Sequence, residues 1–267
     1  MEPPFSVLDT KGGAWQARKR QWKQLGIESH LGREGVVAIT NPWHKYKYDR
    51  KSMPEVSIFD PALCELIYNW YCPKDGSILD PFAGGSVRGI VANYLGYNYT
   101  GIDIRQEQID SNREQACKLL PANRQPIYYI GDSGKVIPDL RPEYDLIFSC
   151  PPYADLEVYS EDPFDLSTMD YKWFKLSYTD IIQKSVSKLK PGGYACFVVG
   201  DMRDKRGFYR DFVSHTKFAF IEAGALLYNE AILLQPLGTA MLRAGKIFEA
   251  GKKLTKVHEN VLIFKKQ

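Results

Sequence analysis

Five consecutive residues, Ser149-Cys150-Pro151-Pro152-Tyr153, are the most chemically distinctive stretch of this 267-residue chain. Two adjacent prolines remove two backbone donors and fix two φ angles. The result is a rigid turn that offers carbonyl acceptors and almost no donors, with an aromatic ring directly after it. That combination suits a flat heterocycle bearing an NH₂ group: the carbonyls take the amino hydrogens while Tyr153 stacks on the ring. A proline-stiffened turn ending a strand is the plain alternative. Its place downstream of a glycine turn of nucleotide-binding type argues against that alternative.

The glycine turn is Asp80-Pro-Phe82-Ala-Gly84-Gly85-Ser86. Adjacent glycines let a backbone pass close to a ligand, and the helix that follows offers N–H groups at its start. The pattern is not G-x-G-x-x-G, and no phosphate-binding lysine follows, which disfavours a nucleoside triphosphate. Asp103, about 20 residues further on, stands where an acid accepts hydrogen bonds from ribose hydroxyls. Asp132-Ser133 ends the next strand, where a carboxylate or hydroxyl meets an adenine amino group. Each acid alone could be a helix cap. Three in register point to a nucleotide-like ligand.

The elements that must position these residues follow from hydrophobic pattern. Asp60-Pro61 reads as an N-cap with proline at the first helical position, and Leu63, Leu66, Ile67 and Trp70 recur at helical spacing. Short apolar runs predict strands over 76–80, 97–103, 126–131, 144–149, 194–199, 225–234 and 260–264. Helices are expected over 87–95, through Lys118, through Lys190 and around 209–223. Strands alternating with helices predict an α/β, doubly wound, mostly parallel sheet, with the last two strands paired antiparallel around a basic insertion. In such sheets a ligand binds beyond the carboxyl ends of the strands.

Asp80-Pro-Phe-Ala-Gly-Gly-Ser86 resembles the S-adenosylmethionine (AdoMet) motif D-P-F-x-G-S-G of the DNA amino-methyltransferases, which act on adenine N6 or cytosine N4. Ser149 to Tyr153 resembles their catalytic motif, usually Asp, Asn or Ser followed by Pro-Pro and an aromatic. The stretches 148–159, 198–203 and 258–265 are similar to small, often phage-borne members. The resemblance implies a Rossmann-like AdoMet-dependent methyltransferase domain over 57–267, with a basic insertion near 238–258, and base flipping of the DNA substrate. It implies that Ser57, Phe59, Asp80, Phe82, Gly84, Asp103 and Asp132 line the cofactor, joined by Gly85, Ser86 and Ser133 of the same turns. It implies that Cys150, Pro151, Pro152 and Tyr153 hold the base. Gly85-Ser86 stands in place of Ser-Gly, and Cys150 stands in place of Asp, Asn or Ser. A thiol is a weak acceptor, so the turn's carbonyls must carry the contact.

Charge is close to balanced, with a formal net charge of +3, so its distribution matters more than its sum. Residues 1–56 form a basic, aromatic arm: Trp15 to Lys23 and Asn41 to Lys51 interleave rings with cations. Such stretches hold a phosphate backbone, or equally lay lysine and arginine stems over a packed tryptophan. Arg203, Lys205, Arg206 and Arg210, together with Arg243, Lys246, Lys252, Lys253 and Lys256, are further candidates for DNA contact. The plain alternative for the last group is a solvated helix face or hairpin tip. The five cysteines are scattered without metal spacing, so neither a metal nor a disulfide framework is expected. No signal pattern or membrane-length apolar run occurs, and a cytoplasmic enzyme is the expectation. An RNA or other amino-group methyltransferase, and a non-catalytic DNA-binding subunit of the same fold, are the competing readings.

Overall fold

The computed structural model describes residues 4–28, 31, 37–38, 59–140, 143–153, 157–158, 166–238 and 240–267. Asn41 to Lys51 and Ser57, singled out above, lie outside them.

Successive residues of each central strand face opposite sides of the sheet. Ile78, Leu146, Phe148, Cys196, Val198, Val261 and Ile263 belong to one core. Their neighbours Leu79, Ile147, Phe197, Val199, Leu262 and Phe264 belong to the other. Near-continuous apolar strands of this kind require cover on both faces. Helices α1 (Gly13–Gln24), α2 (Pro61–Tyr71) and α3 (Val87–Tyr94) cover the first face. Helices α6 (Tyr171–Ser187) and α7 (Phe212–Glu222) cover the second. Between them in the chain, α4 spans Gln106–Leu119 and α5 spans Ser133–Val136.

The sheet has eight strands: β1 (Val7–Asp9), β3 (Ser77–Asp80), β4 (Asn98–Asp103), β5 (Ile127–Ile130), β6 (Tyr144–Ser149), β8 (Leu189–Val199), β9 (Ala225–Leu234) and β10 (His258–Lys266). Their order is β1-β9-β10-β8-β6-β3-β4-β5. β10 runs antiparallel to both neighbours, while the remaining pairs are parallel. The doubly wound sheet and its antiparallel last strand are as the sequence predicts. Two short strands, β2 (Val37–Ala38) and β7 (Glu157–Val158), pair antiparallel in a separate ribbon. β8 begins at Leu189 and includes Pro191-Gly192-Gly193, a segment whose residue types predict a break between helix and strand.

Residues 7–24 join the main layers. β1 pairs with β9, with Val7 opposite Ile232. In α1, Trp15 and Trp22, one seven-residue step apart, are both buried. Two of the three cations between them turn to acids at the neighbouring helix: Arg18 pairs with Glu65 at 2.5 Å and Lys19 with Asp60 at 2.8 Å. Within Trp15 to Lys23 both tryptophans are thus packed, while Arg20 and Lys23 are exposed. The basic insertion contains α8 (Ala240–Gly251), a helix with no buried residue. Among the described residues no helix is long and apolar enough to cross a membrane.

Candidate active site

A cleft of about 250 Å³ opens beyond the carboxyl ends of β3, β4, β5 and β6. Phe59, Phe82, Gly84, Asp103, Asp132 and Ser133 line it together with Cys150, Pro151, Pro152 and Tyr153. The glycine turn and the proline turn, remote from each other in the chain, thus share one cavity.

Asp80 is what joins them, and it does so from behind. Its carboxylate is fully buried and is not among the lining residues. It accepts from the Ser149 hydroxyl at 2.5 Å, the Tyr99 hydroxyl at 2.6 Å, Arg88 Nε at 2.5 Å and the Phe82 N–H at 3.1 Å. Arg88 also donates to the carbonyls of Phe82 and Ala83, at 2.6 and 3.0 Å. Its guanidinium lies 4.6 Å over the Phe59 ring. Burial works against the charge of Arg88, but Asp80 outweighs it and raises the guanidinium above its ordinary value. A buried ion pair whose remaining donors are satisfied fixes geometry more than it adds net stability. Here it fixes the glycine turn against the residue that precedes Cys150. No local pattern marks Arg88, which sits in a helix among apolar residues.

Asp103 holds the outer side of the same turn. Its Oδ2 accepts from the Gly84 N–H and its Oδ1 from the Arg105 N–H, both at 2.9 Å. Gly84 has a φ of +48°, a left-handed conformation that glycine adopts without strain. Asn112 caps the Gly84 carbonyl at 2.7 Å. Behind it, Ser86 is buried and donates to Gln115 at 3.2 Å, so its hydroxyl supports the turn from inside. Gly85 and Ser86 are not among the residues that line the cleft. Asp132 caps α5, accepting from the Gly134 N–H at 2.9 Å, and Ser133 donates to the Pro81 carbonyl at 2.5 Å. Asp132 faces the cleft, whereas the Ser133 hydroxyl is committed to the turn.

On the proline-turn side, Tyr153 donates to Glu259 at 2.9 Å and meets the edge of Phe212 at a centroid distance of 6.4 Å. Burial, then the neighbouring Cys150 and Glu259, push its phenol well above the ordinary value, so it stays protonated. Lys19, Asp60, Arg105, Gln108, Gln235 and Glu259 also line the cleft, and none of them is among the site residues expected from the sequence. They come from α1, the α2 cap, α4 and the β9–β10 junction, elements whose convergence no local pattern reports.

The candidate DNA-contact residues fall into two groups. Arg203, Lys205 and Arg206 lie in the tight segment between β8 and α7. There Asp204 accepts from the N–H groups of Arg206 and Phe208, both at 3.0 Å, and Arg203 stacks 3.9 Å over Tyr209. Arg210 lies 4.3 Å over Tyr171. The stem of Lys253 packs beside Gly207, and Lys256 Nζ and the Tyr153 hydroxyl both lie near Gly200. Lys253 thus packs against the β8–α7 segment, and Lys256 stands near the Tyr153 side of the cleft. Burial lowers the pKa of Lys256 from its ordinary value, partly offset by Asp201 and Glu259. Arg243 and Lys246 are exposed on α8, and Lys252 lies 4.9 Å over Phe248.

Comparison with solved structures shows the fold. TrmN from Thermus thermophilus superposes with a TM-score of 0.52 at 15% identity, over 78% of this chain and 49% of its own. This chain therefore spans about half the length of TrmN. A Pyrococcus horikoshii protein described as a candidate RNA methyltransferase gives 0.52 at 13% identity, over 94% and 98% of the two chains. A SAM-dependent methyltransferase from Methanosarcina mazei gives 0.50 at 17% identity, over 79% and 99%. No curated protein matches the chain by sequence. Residues 9–114, which carry the glycine turn and Asp103, match the DNA methylase family, within a chain that has the Rossmann-like methyltransferase fold.

Proposed function

We propose that this chain is an AdoMet-dependent methyltransferase that modifies the exocyclic amino group of a base, adenine N6 or cytosine N4, in DNA. The observation that carries the reading is the Asp80 junction. It pins a glycine turn with strand-end acids to an acceptor-only proline turn, so that both face one cleft. The match of residues 9–114 to a DNA methylase family supports DNA as the substrate.

The cleft fits the cofactor by its donor set. Asp103 and Asp132 offer carboxylates at adjacent strand ends, and Phe59 and Phe82 offer apolar faces. Glycine at position 84 allows a close backbone approach. Bound AdoMet would supply a methyl group on an electrophilic sulfonium. The acceptor nitrogen is a poor nucleophile because its lone pair is delocalised into the ring. The carbonyls of Cys150 and Pro151 accept its hydrogens and favour a pyramidal nitrogen with the lone pair turned toward the cofactor side. Tyr153 stacks on the ring, replacing the neighbours a base leaves behind when it flips out of the helix. Positioning and fixed dipoles then serve without a strong base.

The cations of the β8–α7 segment, with Lys253 packed against it and Lys256 on the Tyr153 side of the cleft, hold the phosphate backbone, and Arg243, Lys246 and Lys252 extend that surface. Residues 1–56 contribute through their described part to the cleft wall, by way of Lys19. All five cysteines are thiols rather than disulfides, which suits the reducing cytoplasm. Transfer of labelled methyl from AdoMet is tested with duplex DNA, single-stranded RNA and no acceptor. Label in DNA alone supports the proposal. Label in RNA alone assigns the cleft to an RNA base, and label in neither removes the catalytic reading.

A further inference from the structure

Glu259 belongs to neither motif, yet it stands in the cleft at the ring of Tyr153. It lies near the start of β10, the strand inserted between β9 and β8. Its two oxygens are divided between two partners. Oε1 accepts from the Tyr153 hydroxyl at 2.9 Å, and Oε2 accepts from Gln235 Nε2 at 2.6 Å. Gln235 follows β9 directly, and its N–H donates to the Val257 carbonyl at 2.9 Å. The side-chain chain Gln235–Glu259–Tyr153 thus runs from the base of the β9–β10 hairpin to the end of the proline turn.

The two prolines fix the backbone as far as Pro152 but have no hold on the side-chain torsions of Tyr153. A ring that stacks on a base must be kept in one plane before the base arrives. Phe212 limits the ring on one side by an edge contact. Glu259 provides a directional contact at the hydroxyl, and a carboxylate acceptor makes a stronger bond than a neutral one.

We propose that Glu259 is a positioning residue, whose carboxylate, oriented by Gln235, sets the plane of the Tyr153 ring for the acceptor base. This rests on the reading of Tyr153 as the base-stacking residue. The full chain labelled with 3-fluorotyrosine gives a ¹⁹F signal for Tyr153, assigned by its disappearance in Tyr153→Phe. Glu259→Ala is expected to shift that signal and to lower its titration midpoint, because a neighbouring carboxylate is removed. Single-turnover methylation by Glu259→Ala should slow by about tenfold or more, with AdoMet affinity retained and much of the rate recovered in Glu259→Gln. Adding Glu259→Ala to Tyr153→Phe should cost little more, since both remove one hydrogen bond. An unmoved ¹⁹F signal, or rate effects that simply multiply, overturns the proposal. A shifted signal in a protein that methylates no base supports the clamp and overturns the stacking reading.

Discussion

The molecule places its charges in two contrasting settings. At the Asp80 junction the charged atoms are buried and paired, with Asp80 behind the cleft and Arg88 forming part of its wall. On the surface, Lys205, Arg206, Lys252 and Lys253 are exposed, with Arg206 bonded to Asp204 and Lys252 over Phe248. The same residue types do different jobs in the two places. Inside, an unpaired charge is costly, so the network admits one geometry and holds two distant turns in register. Outside, each cation contributes little to stability and remains available to a polyanion. Under the proposed function, this separation makes stability and nucleic-acid affinity independently adjustable, and substitutions should divide accordingly.

The largest effect is expected at the junction. Asp80→Ala leaves the buried Arg88 guanidinium without its counter-charge and three further donors without an acceptor. It should destabilise the fold by about 3–5 kcal/mol, measured as a lowered midpoint in urea with the slope retained. Tyr153→Ala comes next. It should slow single-turnover methylation by about 1–3 kcal/mol of lost stacking, with folding followed by a thermal melt because the ring also packs on Phe212 and bonds Glu259. Asp103→Ala should weaken AdoMet binding by about 1–3 kcal/mol in a calorimetric titration, with DNA affinity retained. Part of that weakening will come from the Gly84 N–H, which is left without its acceptor. The smallest effect on the fold is expected on the surface. Replacing Lys205, Arg206 and Lys253 by alanine should change stability by less than about 0.5 kcal/mol. It should also flatten the slope of log affinity for DNA against log salt by about 0.9 for each phosphate no longer neutralised. A large drop in stability there, or an unchanged salt slope, would erase the contrast.

What is legible in the sequence tracks how local its cause is. The Asp60 cap is one such case: its side chain accepts from the Ala62 N–H two residues away, and α2 begins where the Asp-Pro pair predicts. The central strands are legible because long apolar runs between glycine and proline turns have few other uses. Asp103 and Asp132 reach the cleft because a strand end puts them there. Asp80 is expected at the cofactor and instead faces the core, because Arg88, eight residues on, turns back across the loop to meet it. Glu259 is silent for the same reason: its partners at 153 and 235 are remote in the chain. In α1 the spacing of Trp15 and Trp22 carries a buried face, but the intervening cations give the segment the composition of a surface arm.

The central claim is that the cleft delivers a methyl group to an amino nitrogen held by the Cys150-Pro151-Pro152-Tyr153 turn. It is tested most directly by incubating duplex DNA with AdoMet and the protein, then digesting to nucleosides and identifying the product by mass spectrometry. The account predicts N6-methyladenine or N4-methylcytosine with the wild-type chain and a strongly reduced yield with Tyr153→Ala. A methyl group on a ring carbon, or an equal yield from the Tyr153→Ala variant, would contradict it.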